Sequence, residues 1–195
     1  MPGKSSSYPV HFSVDYPSKP LDRLSTLLRL IFIIPISALY FLVVFSASFL
    51  ILPTIVMIVV KRKYPKPWFD WNVYLLKFAN RIGAYLTLLR DEYPSTDDEQ
   101  AVHLRIEYPD VKRNLNRWLP LIKWFLAIPH YLVMILLSVL QLIAVVIAYF
   151  AILINRRYPK ILFDFVVGAY RWSNRVTAYA ILMTTDRYPP FRLKD

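Results

Sequence analysis

Few side chains in this sequence could carry acid–base or metal chemistry. There are three histidines, His11, His103 and His130, and no cysteine. The stretches VHFSVDY at 10–16 and VHLRIEY at 102–108 place His11 and His103 at equivalent points of two alternating apolar/polar segments. Period-two alternation with β-branched and aromatic residues predicts strands. If the strands pair, His11, Asp15, His103 and Glu107 share one polar face, and that face is a conceivable metal site. The plainer reading is a solvated strand face, which is preferred here, so no metal and no cofactor is expected. The lack of cysteine excludes thiolate nucleophiles, disulfides and Cys-ligated zinc. Three glycines leave little room for a phosphate-cradling loop, and neither G-x-S-x-G nor H-E-x-x-H occurs. The chain is therefore not expected to be an enzyme. A lipid-modifying enzyme, resting only on the paired histidines, is the last alternative.

A second constellation is cationic. Within WFDWNVYLLKFANRIGAYLTLL at 68–89, helical periodicity puts Asp70, Lys77 and Arg81 within about 40° of one another. Asp164, Arg171 and Arg175 repeat that spacing in FDFVVGAYRWSNRVTAYAIL at 163–182. The rest of each segment is aromatic and aliphatic. This pattern predicts an amphipathic helix lying in a membrane interface, and that is preferred to a helix packed on the rest of the chain. Two basic runs, Lys61, Arg62 and Lys63, then Arg156 and Arg157, follow the apolar stretches. Together with Lys77, Arg81, Arg171 and Arg175 they are the candidate lipid- or partner-binding residues.

These residues are punctuation around two long apolar runs, at 30–60 and 125–155, neither of which holds a formal charge. Each exceeds the roughly 20 residues that cross a bilayer core. The net charge of +11 sits on the flanks of these runs, where basic residues mark the cytoplasmic side of a membrane. Anionic membrane lipids, a further copy or a larger membrane complex are the expected partners, and nucleic acid is not. The N-terminus lacks the apolar core of a secretory signal.

The chain is also a tandem repeat. At an offset of 94, Arg29 matches Lys123, Pro35 matches Pro129, Tyr64-Pro65-Lys66 matches Tyr158-Pro159-Lys160, and Asn80-Arg81 matches Asn174-Arg175. The strands match at an offset of 92. The units are 1–95 and 96–195. Each reads as a short strand, a long apolar helix or helical hairpin, a basic Tyr-Pro turn and an amphipathic interfacial helix, in a mainly α integral membrane fold. His130 and Gln141 face Ile36 and Ala47 in the other copy. They belong to no symmetric site and are expected to hydrogen-bond between helices.

Charge counting bears on topology. Single crossings would divide the 24 basic residues twelve and twelve, with no positive-inside bias. Hairpins, turning near 46–48 and 138–141, would put all of them on one face, with both termini cytoplasmic. The hairpin is preferred to single crossings, and single crossings to mixed helices that span, which would bury Lys77, Arg81, Arg171 and Arg175.

VHFSVDYP and VHLRIEYP, the proline-bearing apolar runs, RKYPKPWFDW and RRYPKILFDF, and NRIGAY and NRVTAY together resemble a family of bacterial membrane proteins known as domain of unknown function 4389. Two copies would cover nearly the whole chain. The resemblance implies a bacterial inner-membrane protein and carries over no site residues. The expected role is a non-enzymatic, lipid-interacting scaffold or accessory subunit. An oligomeric channel or transporter component is the alternative, weakened by apolar runs with almost no ionisable lining.

Overall fold

The computed structural model describes residues 8–194, without the side chains of Ser46 and Ala47; residues 1–7 of the first unit lie outside the described residues. The order is β1 (Val10–Val14), α1 (Arg23–Ser48), α2 (Ile51–Lys61), α3 (Lys66–Leu86), β2 (Val102–Ile106), α4 (Val111–Asn114), a 3-10 turn at Leu119–Leu121, α5 (Lys123–Leu126), α6 (Ile128–Asn155) and α7 (Lys160–Ala180). The chain is mainly helical, with one two-stranded sheet.

The strands pair antiparallel, with Phe12 opposite Leu104, Val10 opposite Ile106 and Val14 opposite Val102. At the offset of 92, Phe12 and Leu104 are each other's counterparts, and the two outer pairs exchange. A pseudo-twofold axis therefore passes through the Phe12–Leu104 pair. It also passes between α3 and α7, where Asn80 Nδ2 donates to Asn174 Oδ1 at 2.8 Å and Asn174 Nδ2 returns the bond at 2.8 Å. Each amide also donates to the carbonyl four residues back, Leu76 and Tyr170. Both amides are buried and both are satisfied, as burial demands.

Packing stacks three layers along that axis. β1 packs on α7 and β2 on α3, while α1 packs on α3 and α6 on α7. Two strands alone would be marginal in water. Here their inner side chains Val10, Phe12, Val14, Val102 and Ile106 are buried. The third layer is α1, α2 and α6. Its inward stripe, Ile33 on α1 and Ala144, Ala148 and Ile152 on α6, is covered. Its outward face is a field of exposed Leu, Ile, Val and Phe. The two longest helices are apolar and long enough to cross a membrane, yet only 11% of the most apolar window of each is buried.

Three expectations are corrected. First, neither apolar run is a hairpin. α6 is one helix of 28 residues with no turn at 138–141, and α1 runs helical through 46–48. The first run does break, at Phe49 and Leu50. Pro53 lacks the N–H that would reach the Phe49 carbonyl, and its ring crowds that group. The chain does not turn back there. Arg23, opening α1, donates to the Ile154 carbonyl at 2.7 Å, whereas Arg117, ahead of α6, donates to the Val59 carbonyl near the end of α2. The first run thus enters beside one end of α6 and leaves beside the other. Second, the hinges KRKYPK and NRRYPK accordingly sit at opposite ends of the molecule. Third, α3 and α7 are packed on the rest of the chain. Sandwiched between sheet and long helices, α7 buries Phe163, Val166, Val167, Trp172, Val176 and Tyr179. The packed alternative prevails because the sheet and the outer helices both need a cover that only these helices supply.

Candidate anion-binding pockets at the hinges

Each hinge begins with a left-handed residue that ends an apolar helix, Arg62 (φ 49°) after α2 and Arg156 (φ 55°) after α6. Such a cap satisfies terminal helix carbonyls: Arg62 N–H donates to the Ile58 carbonyl at 3.1 Å, and Arg156 N–H to the Ile152 carbonyl at 2.8 Å. Neither residue is glycine, so each arginine accepts some strain. Tyr64 and Tyr158 then turn inward, each 1% exposed. Pro65 and Pro159 start α3 and α7.

The copies complete one another here. Tyr108, after β2, donates its hydroxyl proton to the Tyr64 carbonyl, and Tyr16, after β1, donates to the Tyr158 carbonyl. Tyr108 meets Phe69 edge-on at 5.0 Å, and Tyr16 meets Phe163 edge-on at 5.0 Å. Lys66, paired with Asp70, lies 5.6 Å from the Tyr108 ring, and Lys160, paired with Asp164, lies 5.3 Å from the Tyr16 ring.

A cavity opens at each hinge. One, of about 350 Å³, is lined by Arg62, Lys63, Lys112 and Asp110 with Tyr64 and Tyr108. The other, of about 250 Å³, is lined by Lys19, Arg156 and Arg157 with Tyr16 and Tyr158. The first holds three cations and one carboxylate, the second three cations and no carboxylate. Asp110 also accepts from the N–H groups of Lys112 and Arg113, capping α4. Arg62, Lys63, Arg156 and Arg157 are exposed, as is Lys61. Cationic cavities whose walls are tyrosine and proline suit a phosphate-bearing ligand.

The other predicted site residues fall elsewhere. Arg81 is 5% exposed and donates to the carbonyls of Ser95 and Asp98, the latter at 2.6 Å. Arg175 is 1% exposed and donates to the Arg192 carbonyl at 2.8 Å. Each pins the chain that follows its helix, so neither is open to lipid or a partner. Arg171 donates to the carbonyls of Phe12 at 3.1 Å and Leu193 at 3.0 Å, tying α7 to β1. Lys77 is half-buried. The strand histidines are not brought together. His103 Nε2 lies 3.0 Å from Asp15 Oδ2, both exposed, His11 stands opposite Arg105, and among the described residues no three His, Asp or Glu side chains converge. His130 is buried, and its Nδ1 accepts from Trp172 Nε1 at 3.1 Å, a bond between α6 and α7.

The sequence reading missed one repeated unit. Arg29, 2% exposed, pairs with Asp91 and donates to the Tyr85 carbonyl at 2.6 Å, its guanidinium 4.4 Å from the Tyr85 ring. Lys123, 0% exposed, pairs with Asp186 at 2.7 Å and donates to the Thr185 carbonyl at 2.8 Å, 5.3 Å from the Tyr179 ring. Tyr93 and Tyr188 close each cluster edge-on at 5.7 Å. Asp91 and Asp186 each stand two residues before a Tyr-Pro pair, at an offset of 95 rather than 94. That shift hid the match.

The sequence profile of the family described as a domain of unknown function (DUF4389) matches residues 23–96 and 117–192. Both regions begin downstream of the strands and contain the hinge, the apolar helix and the inner helix. No curated protein and no solved structure matches the chain.

Proposed function

We propose, for a chain that belongs to the DUF4389 family in two tandem copies, that it is a non-enzymatic membrane scaffold or accessory subunit that holds anionic lipid headgroups in its two hinge pockets. The observation that carries this reading is the placement of both cationic cavities at the ends of an apolar helix layer left exposed along its length. A core helix of a water-soluble protein would be covered, because exposed apolar surface of this extent is unfavourable in water. Hydrocarbon removes that penalty, and basic residues at the rim of the apolar layer meet phosphate. By the same charge logic the pockets face the cytoplasmic side of a bacterial inner membrane.

The test is flotation with liposomes. Wild type should bind anionic phosphatidylglycerol vesicles more tightly than neutral phosphatidylcholine vesicles. Lys63→Glu with Arg157→Glu should cut the preference for anionic vesicles roughly tenfold or more, at about 1 kcal/mol per surface cation. An unchanged preference would refute headgroup binding at the hinges. No flotation with either lipid would refute the membrane reading itself.

A further inference from the structure

We infer that the protein lies flat in one leaflet of an anionic membrane, with α1, α2 and α6 parallel to the bilayer plane, and does not cross it. This rests on the membrane reading above and adds its orientation. The pseudo-twofold axis passes through the strand pair, through the Asn80–Asn174 pair and between the long helices. The long helices run across that axis, since α1 starts beside the end of α6 and α2 ends beside the approach to α6. The two faces that the axis pierces are chemically opposite. One is the apolar field of α1, α2 and α6. The other is the outer face of the sheet, where His11, Ser13, Asp15, His103, Arg105 and Glu107 are all exposed.

Two symmetric placements then compete. If the long helices crossed the bilayer, the axis would lie in the membrane plane and the outer sheet face would be centred on the hydrocarbon midplane. Asp15, Arg105 and Glu107 would there be charges in hydrocarbon, which are costly to insert. Asp97 would join them, because its loop is held to Tyr74, part-way along α3. If the axis is instead the membrane normal, the sheet faces water and only the apolar layer enters lipid. One layer of helices, about 10 Å thick, fits within a single leaflet, roughly 15 Å of hydrocarbon. Both hinge pockets then meet the same headgroup plane, and every exposed basic side chain lies on one side of the membrane. The twelve-and-twelve division of charge under crossing disappears.

The chain lacks cysteine, so Lys63→Cys and Arg157→Cys, both at exposed positions, can be combined and treated with a membrane-impermeant maleimide in floated proteoliposomes. Flat molecules carry two labels or none, whichever way they inserted. Crossing molecules carry one label each, and a single-label population overturns the inference. A second readout avoids the hinges. Nitroxides placed singly at Leu132, Val139 and Val146, exposed on one face of α6, should report one common depth from oxygen and nickel-chelate accessibility. A crossing helix would change depth by about 21 Å over those 14 residues. Because only the floated fraction is read, failure to float remains a separate result.

Discussion

The two copies break their apolar runs at different prolines. In the second, the break falls before Pro129, and α6 then runs unbroken to Asn155. In the first, α1 passes straight through Pro35 and breaks ahead of Pro53, whose counterpart is Ile147. The broken helix leaves a cavity of about 200 Å³ against Tyr40, Thr54, Asn72 and Leu76. In the second copy the counterpart of Leu76 is Tyr170, whose hydroxyl sits where a Cβ on Gly83 would come within 2.5 Å. One architecture is thus held together by unlike devices. Equivalent sites need not contribute equally, and substitutions made in pairs can measure the difference.

The largest contrast lies in the buried cations. Lys123 has one carboxylate and one carbonyl, while Arg29 has a carboxylate, the carbonyls of Tyr85 and Arg90, and a ring face at closer range. Asp186→Asn should cost about 3–5 kcal/mol, the range for stranding a buried charge, and Asp91→Asn about half of that, read from denaturation in detergent. Burial pulls the Lys123 ammonium below its usual range, and Asp186 pulls it partly back. A base with a lowered native pKa binds fewer protons folded than unfolded between that value and about 10.4, so stability rises with pH through this window. Without Asp186 the native value falls further. The deficit of Asp186→Asn should therefore shrink as pH climbs toward about 10.4, whereas a loss caused by packing alone would not.

The next contrast tests the symmetry axis. Asn174→Leu leaves the Asn80 amide buried without its partner and should cost about 1–3 kcal/mol. Asn80→Leu with Asn174→Leu removes both polar groups and should cost less than the sum of the single changes. Additive losses would mean that the amides do not bond each other.

Much of this arrangement was legible in the sequence. The 94-residue offset marked the units, and alternation marked both strands. Pairing by offset also exposed His130 as asymmetric, and it bridges α6 and α7. The fate of Arg81 and Arg175 was not legible. Their spacing is that of a solvated stripe, and only the return of the chain at Ser95 and at Arg192 supplies the carbonyls that bury them. Helix breaks were equally opaque, because the proline shared by both copies breaks only one of them. Layer order was hidden for a related reason: an aromatic helix reads the same whether lipid or a sheet covers it.

The hinge tyrosines give a smaller contrast. Tyr64 Oη has Asn72 Nδ2 at 3.5 Å, but Tyr158 Oη is buried with no partner, since Val166 stands in the place of Asn72. Tyr158→Phe should be neutral or stabilise by up to about 1 kcal/mol, while Tyr64→Phe should lose about 0.5 kcal/mol. Burial raises the Tyr64 phenol to about 12 and the Tyr158 phenol further. A raised native pKa contributes stability that is complete below about 10 and lost as pH rises through the native value. Replacing either tyrosine should therefore flatten the alkaline limb of an unfolding profile, and an unchanged limb would count against burial of that ring.

The smallest effect comes from making the first copy resemble the second. Leu76→Phe adds a ring in the direction that Tyr170 fills. It omits the hydroxyl, because Thr177 occupies the place of Gly83 and would obstruct it. Filling part of a cavity of about 200 Å³ should raise stability by about 1 kcal/mol, the reverse of a small cavity penalty. Leu162, the residue on α7 eight positions before Tyr170, packs at the edge of a core cluster and does not line that cavity. Leu162→Phe should therefore lower stability by about 1–3 kcal/mol through overpacking. A melting temperature that rises for Leu76→Phe and falls for Leu162→Phe would locate the spare volume in the first copy. Equal responses would mean that the break before Pro53 closes up in the membrane, and that the two copies pack alike despite their different helices.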